Sequence, residues 1–204
     1  MDTDIREHAS PFFFVGGALA LDLANTEITA RGRRRDLLAS SADLDTWLGE
    51  AATHYPELIH AAHGVSGDDG ALRAVTGLRG RIRALFEAVA AGNTPDPATI
   101  AAINDVLRRG EHVVEPEDVG GYRSVFRARS GGVDDVLVPV AWSAGELLTG
   151  TDPGRIHECA NERCILLFHD TTKSGTRRWC STGCMNRARS IARYREQKGR
   201  KQAD

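Results

Sequence analysis

All four cysteines of this 204-residue chain fall in its last quarter, at Cys159, Cys164, Cys180 and Cys184, and none is left for the remainder. Their spacing is C-x4-C-x15-C-x3-C, two close pairs separated by a stretch long enough for a hairpin. Four thiolates so arranged can converge on one tetrahedral zinc ion. Disulfides are the competing use of these thiols, and a large cysteine-free remainder fits that use poorly. Four sulfurs close the coordination shell, so one structural Zn2+ is expected and a catalytic metal is not. His157 and His169 share the segment and are expected at its surface, outside the ligand set.

Charge divides at the same point. Residues 1–154 hold 14 Lys and Arg against 23 Asp and Glu, a net −9, whereas residues 155–204 hold 12 against 5, a net +7. An acidic body carrying a basic module is the footprint expected of a chain with a polyanionic partner. With 41% hydrophobic and 26% charged residues, composition excludes a disordered chain, a collagen or a coiled coil. The longest apolar run, residues 12–21, is broken by Gly16 and Gly17 and stopped by Asp22, short of the roughly 20 residues of a membrane helix, so no membrane partner is expected. The opening MDTDIREHAS carries three acids, the wrong sign for a leader, so a cytoplasmic location with reduced thiols is expected.

The body, residues 10–150, reads as mainly α with one β-hairpin. A short helix is expected from Ala18 to about Thr26, with Arg33 to Arg35 in a loop after it. Ser41 is a candidate N-cap for a helix carrying Leu44, Trp47, Leu48 and Ala51 on one face and ending before Pro56. Leu72, Val75, Leu78, Ile82, Leu85, Phe86 and Val89 step by three and four, predicting an amphipathic helix over 71–91. Asp96 and Pro97 cap and open the next helix. Period-two alternation over 111–129, with Tyr122, Phe126 and Ala128 against Arg123, Arg127 and Arg129, predicts the hairpin around an Asp-Val-Gly-Gly turn. Helical spacing resumes from Val133 to Gly150, with Pro139 expected to bend that helix.

Residues 155–200 read as a small treble-clef-like zinc finger. The first cysteine pair forms a knuckle, Ile165–Phe168 and Arg177–Trp179 are expected as two short strands, and the second pair opens a helix whose dipole favours thiolate charge. On that helix Met185, Ala188, Ile191 and Ala192 share one side. Asn186, Arg187, Arg189, Arg193 and Arg200 are left mostly exposed. With Arg177 and Arg178 they form a basic face able to neutralise phosphates, which makes DNA the expected partner. The other reading is an adaptor whose basic finger docks an acidic protein while the body senses a small-molecule effector.

Elsewhere the signals are weaker. Asp22 and Asn25, three apart near a helix end, either line a small ligand pocket or act as caps bonded to backbone. His54, His60 and His63 do not make a persuasive second metal site beside Pro56. Gly16-Gly17 lacks the Gly-Lys-Ser/Thr ending of a phosphate loop and reads as a turn. No Ser/His/Asp or Cys/His nucleophile arrangement stands out, so an enzyme is not expected.

At these residues the chain resembles the bacterial CGNR zinc-finger family, whose members join an N-terminal domain of the stress-induced transcription regulator (ABATE) type to a C-terminal finger. The resemblance is carried by Cys159-Ala160-Asn161, Cys164, Leu167-Phe168, Asp170, Arg177-Arg178-Trp179-Cys180-Ser181 and Cys184. Phe14-Val15-Gly16-Gly17 and Leu21-Asp22-Leu23-Ala24-Asn25-Thr26 carry it in the body. It implies a zinc-binding, DNA-binding regulator. The family's Cys-Gly-Asn-Arg reads here Cys184-Met185-Asn186-Arg187; the methionine is unobjectionable in a helical first turn, and the ligands are untouched.

Overall fold

The computed structural model describes residues 10–56, 65, 67–117 and 120–201, with backbone alone at 196, 197 and 199–201. His60 and His63, the Asp118-Val119 part of the expected turn and the Arg200 side chain lie outside the described residues. Six helices and three two-stranded antiparallel sheets are described: α1 (Leu19–Ala24), β1 (Glu27–Ala30), β2 (Arg33–Asp36), α2 (Ser41–His54), α3 (Asp69–Ala90), α4 (Pro97–Leu107), β3 (Gly110–Pro116), β4 (Tyr122–Ala128), α5 (Asp134–Gly150), β5 (Ile156–Glu158), β6 (Leu167–His169) and α6 (Thr182–Lys201). The fold class is thus mainly α with small antiparallel strand pairs. Among the described residues no helix is long and apolar enough to cross a membrane.

At the centre lies α1, whose six residues are all buried and which packs against both α3 and α5. Its sequence, LALDLA, has no polar face to turn to solvent, so it forms only where neighbours cover it on every side. α3 supplies the longest wall, with Val75, Leu78, Ile82, Leu85, Phe86 and Val89 buried along one face. α2 starts one residue earlier than the expected cap: Ser40, not Ser41, is the N-cap, and its capping box with Asp43 satisfies two orphan amides reciprocally. α4 begins as expected on Asp96 and Pro97, and α5 runs unbroken through Pro139, in its second turn.

Two elements depart from the sequence reading. Arg33–Arg35 form β2 rather than a loop, so a second hairpin, β1–β2, precedes the expected β3–β4 pair. The two central residues of its turn, Arg31 (φ 52°) and Gly32 (φ 77°), both have the positive φ that a two-residue turn needs to match strand twist. Arg177–Trp179 form no strand. β6 pairs instead with β5, in the register Ile156–His169, His157–Phe168 and Glu158–Leu167.

The hairpin is held by two arginines that the helical pattern of α3 conceals. Arg79 and Arg83 are 4% and 3% exposed, on the same face as the apolar residues. Arg79 makes a bidentate pair with Asp36 at 2.6 Å on each nitrogen and donates to Thr26 Oγ1 at 3.0 Å. Arg83 donates to the carbonyls of Ala24 (2.5 Å), Glu27 (3.1 Å) and Ile165 (3.1 Å), and its Nε lies 3.0 Å from the Glu27 carboxylate. The end of α1, the start of β1 and the cysteine-bearing segment are thereby fastened to one side chain.

Replacing that side chain strands the three carbonyls, while Glu27 keeps Arg79 at 3.5 Å. Arg83→Met is expected to lower unfolding free energy by roughly 3 kcal/mol or more, since each buried carbonyl left without its donor costs about 1–3 kcal/mol. Urea titration followed by Trp47 fluorescence checks it. A change below about 1 kcal/mol, the scale of an exposed ion pair, contradicts the buried role.

Candidate metal centre

The four cysteine sulfurs lie within 4.8 Å of one another. Cys159 directly follows β5 and Cys164 ends the knuckle; Cys180 lies two residues before α6, and Cys184 is in its first turn. A regular tetrahedron with Zn–S of about 2.3 Å has S–S edges of about 3.8 Å. The Cys164–Cys180 edge is 3.8 Å, and all four cysteines are free rather than bridged.

Protons in this cluster are unevenly held. Hydrogen bonds from Cys164 and Cys180 hold the Cys159 thiol down at about 2, while the Cys159 sulfur pushes Cys164 up to about 12 and Cys180 upward as well. One thiolate forms easily and the next is resisted, because like charges then share a site. A divalent cation removes that resistance, so the donor set fits zinc.

Around the cysteines the local chain is braced by backbone. Cys180 N donates to Cys159 Sγ at 3.4 Å. Asn161, 2% exposed, accepts from Arg163 N at 3.1 Å and donates to Cys184 O at 3.3 Å, tying the knuckle to α6. Asp170 is fully buried and takes the amides of Thr172 (2.9 Å) and Arg177 (2.7 Å), fixing the loop between β6 and Cys180. Those contacts, the Thr172 side chain first, hold its carboxyl down to about 2. Met185 lies in regular helix; among the described residues only Arg31 departs from negative φ without being glycine.

The finger does not hang from a linker. Ile156 and Leu167 belong to the main core, while Phe168, Leu166 and three of the cysteines form a small cluster against which Val15 and Ile28 of the body pack. Asn25, fully buried, donates to Leu167 O and accepts from Leu167 N, both at 2.9 Å, so one side chain replaces a neighbouring strand. His169 N donates to Gly16 O at 2.8 Å. A Cβ on Gly16 would come within 2.6 Å of Leu21 Cβ, so this close approach requires glycine.

These contacts correct two expectations and decide between the two readings of Asp22 and Asn25, which bond to backbone and line none of the described cavities. Asn25 is a body-to-finger clamp, and Asp22, 2% exposed, accepts from Gly16 N at 2.6 Å and from the Tyr55 hydroxyl. Arg177 is not an open phosphate contact either. Its guanidinium donates to the carbonyls of Trp179 (2.9 Å) and Cys180 and lies 4.5 Å from the Phe168 ring centre. His157 and His169, expected at the surface, are half-buried in the β5–β6 pair.

The remaining basic residues stay in the open. Arg178, Asn186, Arg187, Arg189 and Arg193 are exposed, with Arg178 resting 5.3 Å from the Trp179 ring centre. Of the apolar side of α6, Met185, Ala188 and Ile191 are half-buried and Ala192 is exposed. Beside the metal centre, a cavity of about 240 Å³ runs between the body and the finger. Phe13, Val15 and Ile28 line one wall, and Cys164, Cys184 and Arg187 the other.

Comparison with known proteins places both parts. Residues 17–151 match the family model described as putative stress-induced transcription regulator (ABATE), and residues 155–198 match the CGNR zinc finger. The first match alone spans well over half the chain, and the chain belongs to this family. Neither match is to an enzyme family. No curated protein matches it. The clustered cysteines and the finger match together define one structural Zn2+ site held by Cys159, Cys164, Cys180 and Cys184.

Two outcomes follow for this region. Purified protein should carry one zinc per chain by metal analysis, and Cys159→Ser should abolish it. Chelation should melt α6 and the knuckle while the body keeps its helical circular dichroism; protein that binds less than half an equivalent of zinc contradicts the site. The second concerns Asp22, whose carboxyl burial pushes up to about 6, against hydrogen bonds from Tyr55, Gly16 and Val15. Its folded-state value lies above the unfolded one, so the folded state binds this proton more tightly, and the ionised group costs stability above pH 6. Asp22→Asn, which resembles the protonated form, should gain relative to wild type by about 2–3 kcal/mol on going from pH 4 to pH 8. Denaturant titrations at the two pH values measure it, and a pH-independent difference refutes it.

Proposed function

We propose that the chain is a DNA-binding transcriptional regulator in which residues 155–200 read the nucleic acid and residues 10–150 form the body that carries them. The observation that supports this most is the state of the α6 arginines. Arg187, Arg189 and Arg193 are exposed, and among the described residues none has a carboxylate partner, whereas Arg195 on the same helix is held by Glu162 at 2.7 and 2.8 Å. Asn186, Arg189 and Arg193 fall on one stripe at helical spacing, and Arg187 points to the side of the cavity. A helix presenting amide and guanidinium groups along one stripe has the donors that phosphates and base edges accept. Arg178 adds a cation at the base of the helix. Asn186 is the residue on this stripe suited to a base edge.

The zinc site supports the reading by holding the start of α6 rigidly, since a finger with so small an apolar cluster depends on metal for its shape. A DNA ligand also implies a cytoplasmic location. The match to a family described as a transcription regulator agrees with it.

Measured by fluorescence anisotropy on mixed-sequence duplex DNA, the log–log salt slope of the zinc-loaded protein should fall by about one unit for each phosphate-contacting arginine removed. Arg187→Ala with Arg189→Ala should therefore lower both affinity and slope. Arg73→Ala and Arg81→Ala, on α3, should change neither. Arg177→Ala is expected to cost thermal stability or zinc rather than salt slope, because its donors are spent within the finger. An unchanged slope in the Arg187/Arg189 double variant transfers the basic face to the adaptor reading, with an acidic protein as partner.

A further inference from the structure

We propose that the β1–β2 hairpin of the body is a second DNA-contacting element, set beside α6 so that helix and hairpin engage one duplex together. The inference rests on the DNA-binding reading above and deepens it.

The hairpin is rich in arginine, and its register sorts those residues onto two faces. Glu27 opposes Asp36, and Thr29 opposes Arg34; Ile28 opposes Arg35, and Ala30 opposes Arg33. Residues directly opposite each other in an antiparallel pair share a face, and the faces alternate along the strand. One face therefore carries Glu27, Thr29, Arg34 and Asp36, the other Ile28, Ala30, Arg33 and Arg35.

The first face is turned to α3 and is neutralised there. Asp36 is paired with Arg79 and Glu27 with Arg83, while Arg34 lies 3.8 Å from both Glu27 and Glu87. Both acids of the hairpin are thus paired with arginines of α3.

The second face is different. Ile28 packs against the cysteine cluster and, together with Thr29 from the edge of the first face, lines the same 240 Å³ cavity as Arg163, Ser181, Gly183 and Arg187. Arg33 and Arg35 share this face, and Arg31 stands at the turn. All three are exposed, and among the described residues none has a carboxylate partner. Across the cavity Arg163 and Arg187 are likewise exposed; Arg187 has no carboxylate partner among the described residues, and Arg163 interacts with the neighbouring Glu162.

Two buried arginines hold the ribbon against α3 and neutralise its two acids, so the hairpin surface is left with unpaired charge of a single sign. Such a surface is repulsive in isolation and is stabilised by a polyanion lying across it. A helix and a two-stranded ribbon are also the two shapes that a duplex accommodates. The hairpin is assigned phosphate contacts, which position the duplex, and α6 the side facing the bases.

The test uses the full zinc-loaded chain and a labelled mixed-sequence duplex, with anisotropy read between about 50 and 200 mM salt. Arg33→Ala with Arg35→Ala should make the log–log slope shallower by roughly 1.8 units, comparable to the Arg187/Arg189 pair. Arg33→Lys with Arg35→Lys keeps the charge and should restore most of the slope. Zinc content and thermal midpoint are measured on each variant, and Arg81→Ala serves as the folded control. If the helix pair lowers the slope and the hairpin pair leaves it unchanged, the hairpin is not a contact element and the finger binds alone. If wild type shows no salt-dependent binding to duplex but does bind an acidic polypeptide, the DNA reading falls and this inference falls with it.

Discussion

Four thiolates cannot share a space 4.8 Å across without a cation, and that constraint governs the C-terminal part of the molecule. The apolar cluster of the finger contains little beyond Leu166, Phe168 and the cysteines themselves, too little to order a segment of this length. Metal binding and folding of this segment are therefore expected to be coupled. The knuckle, the start of α6 and the loop braced by Asp170 all take their positions from the same four sulfurs.

What the metal orders, the body then fixes in place. Asn25 substitutes for a strand along Leu167, Arg83 reaches Ile165 O, and Gly16 accepts from His169 N, so three separate body elements grip the segment between the two cysteine pairs. These are buried polar contacts, whose loss costs more than their formation gains, and they specify one docking orientation in a way that apolar contact alone does not. Leu167 and Ile156, buried in the main core, supply the area. The residues 17–151 and 155–198 that match separate family models therefore meet through a shared core.

Much of this was legible in the sequence, and the rest was hidden for identifiable reasons. Cysteine spacing revealed the metal centre because ligand chemistry leaves few uses for four paired thiols. Periodicity revealed α3 and α4 because each has one apolar face, and α5, buried at every position from Val136 to Ala141, through apolar residues that recur at helical spacing. β2 was missed because Arg33, Arg34 and Arg35 are all exposed, and a strand without an inward apolar face shows no alternation. The Asx and arginine clamps were missed because their partners lie far away in sequence: Asn25 to Leu167 spans 142 residues, and Arg83 to Ile165 spans 82. A signal for the arginines did exist. Positions 79 and 83 share the face of Val75, Leu78, Ile82 and Phe86, and two cations four residues apart on an apolar face require buried acceptors.

The same lesson sorts the arginines by use. Arg83 and Arg177 spend their donors on backbone carbonyls and Arg79 on the side chains of Asp36 and Thr26, and their planar forks serve that purpose better than lysine would. Arg31, Arg33, Arg187, Arg189 and Arg193 reach none of the described carboxylates and stay exposed. Counting basic residues treats the two groups alike, and so placed Arg177 on the open face. Partnering separates them: the net +7 of the C-terminal segment overstates its free positive surface, because Arg155, Arg177 and Arg195 are engaged within the finger. The body's net −9 in turn conceals a hairpin whose acids are paired with arginines of α3. The unpaired arginines that remain sit on the hairpin and on α6, and the clamps at Asn25 and Arg83 tie the start of the hairpin to the segment between the two cysteine pairs.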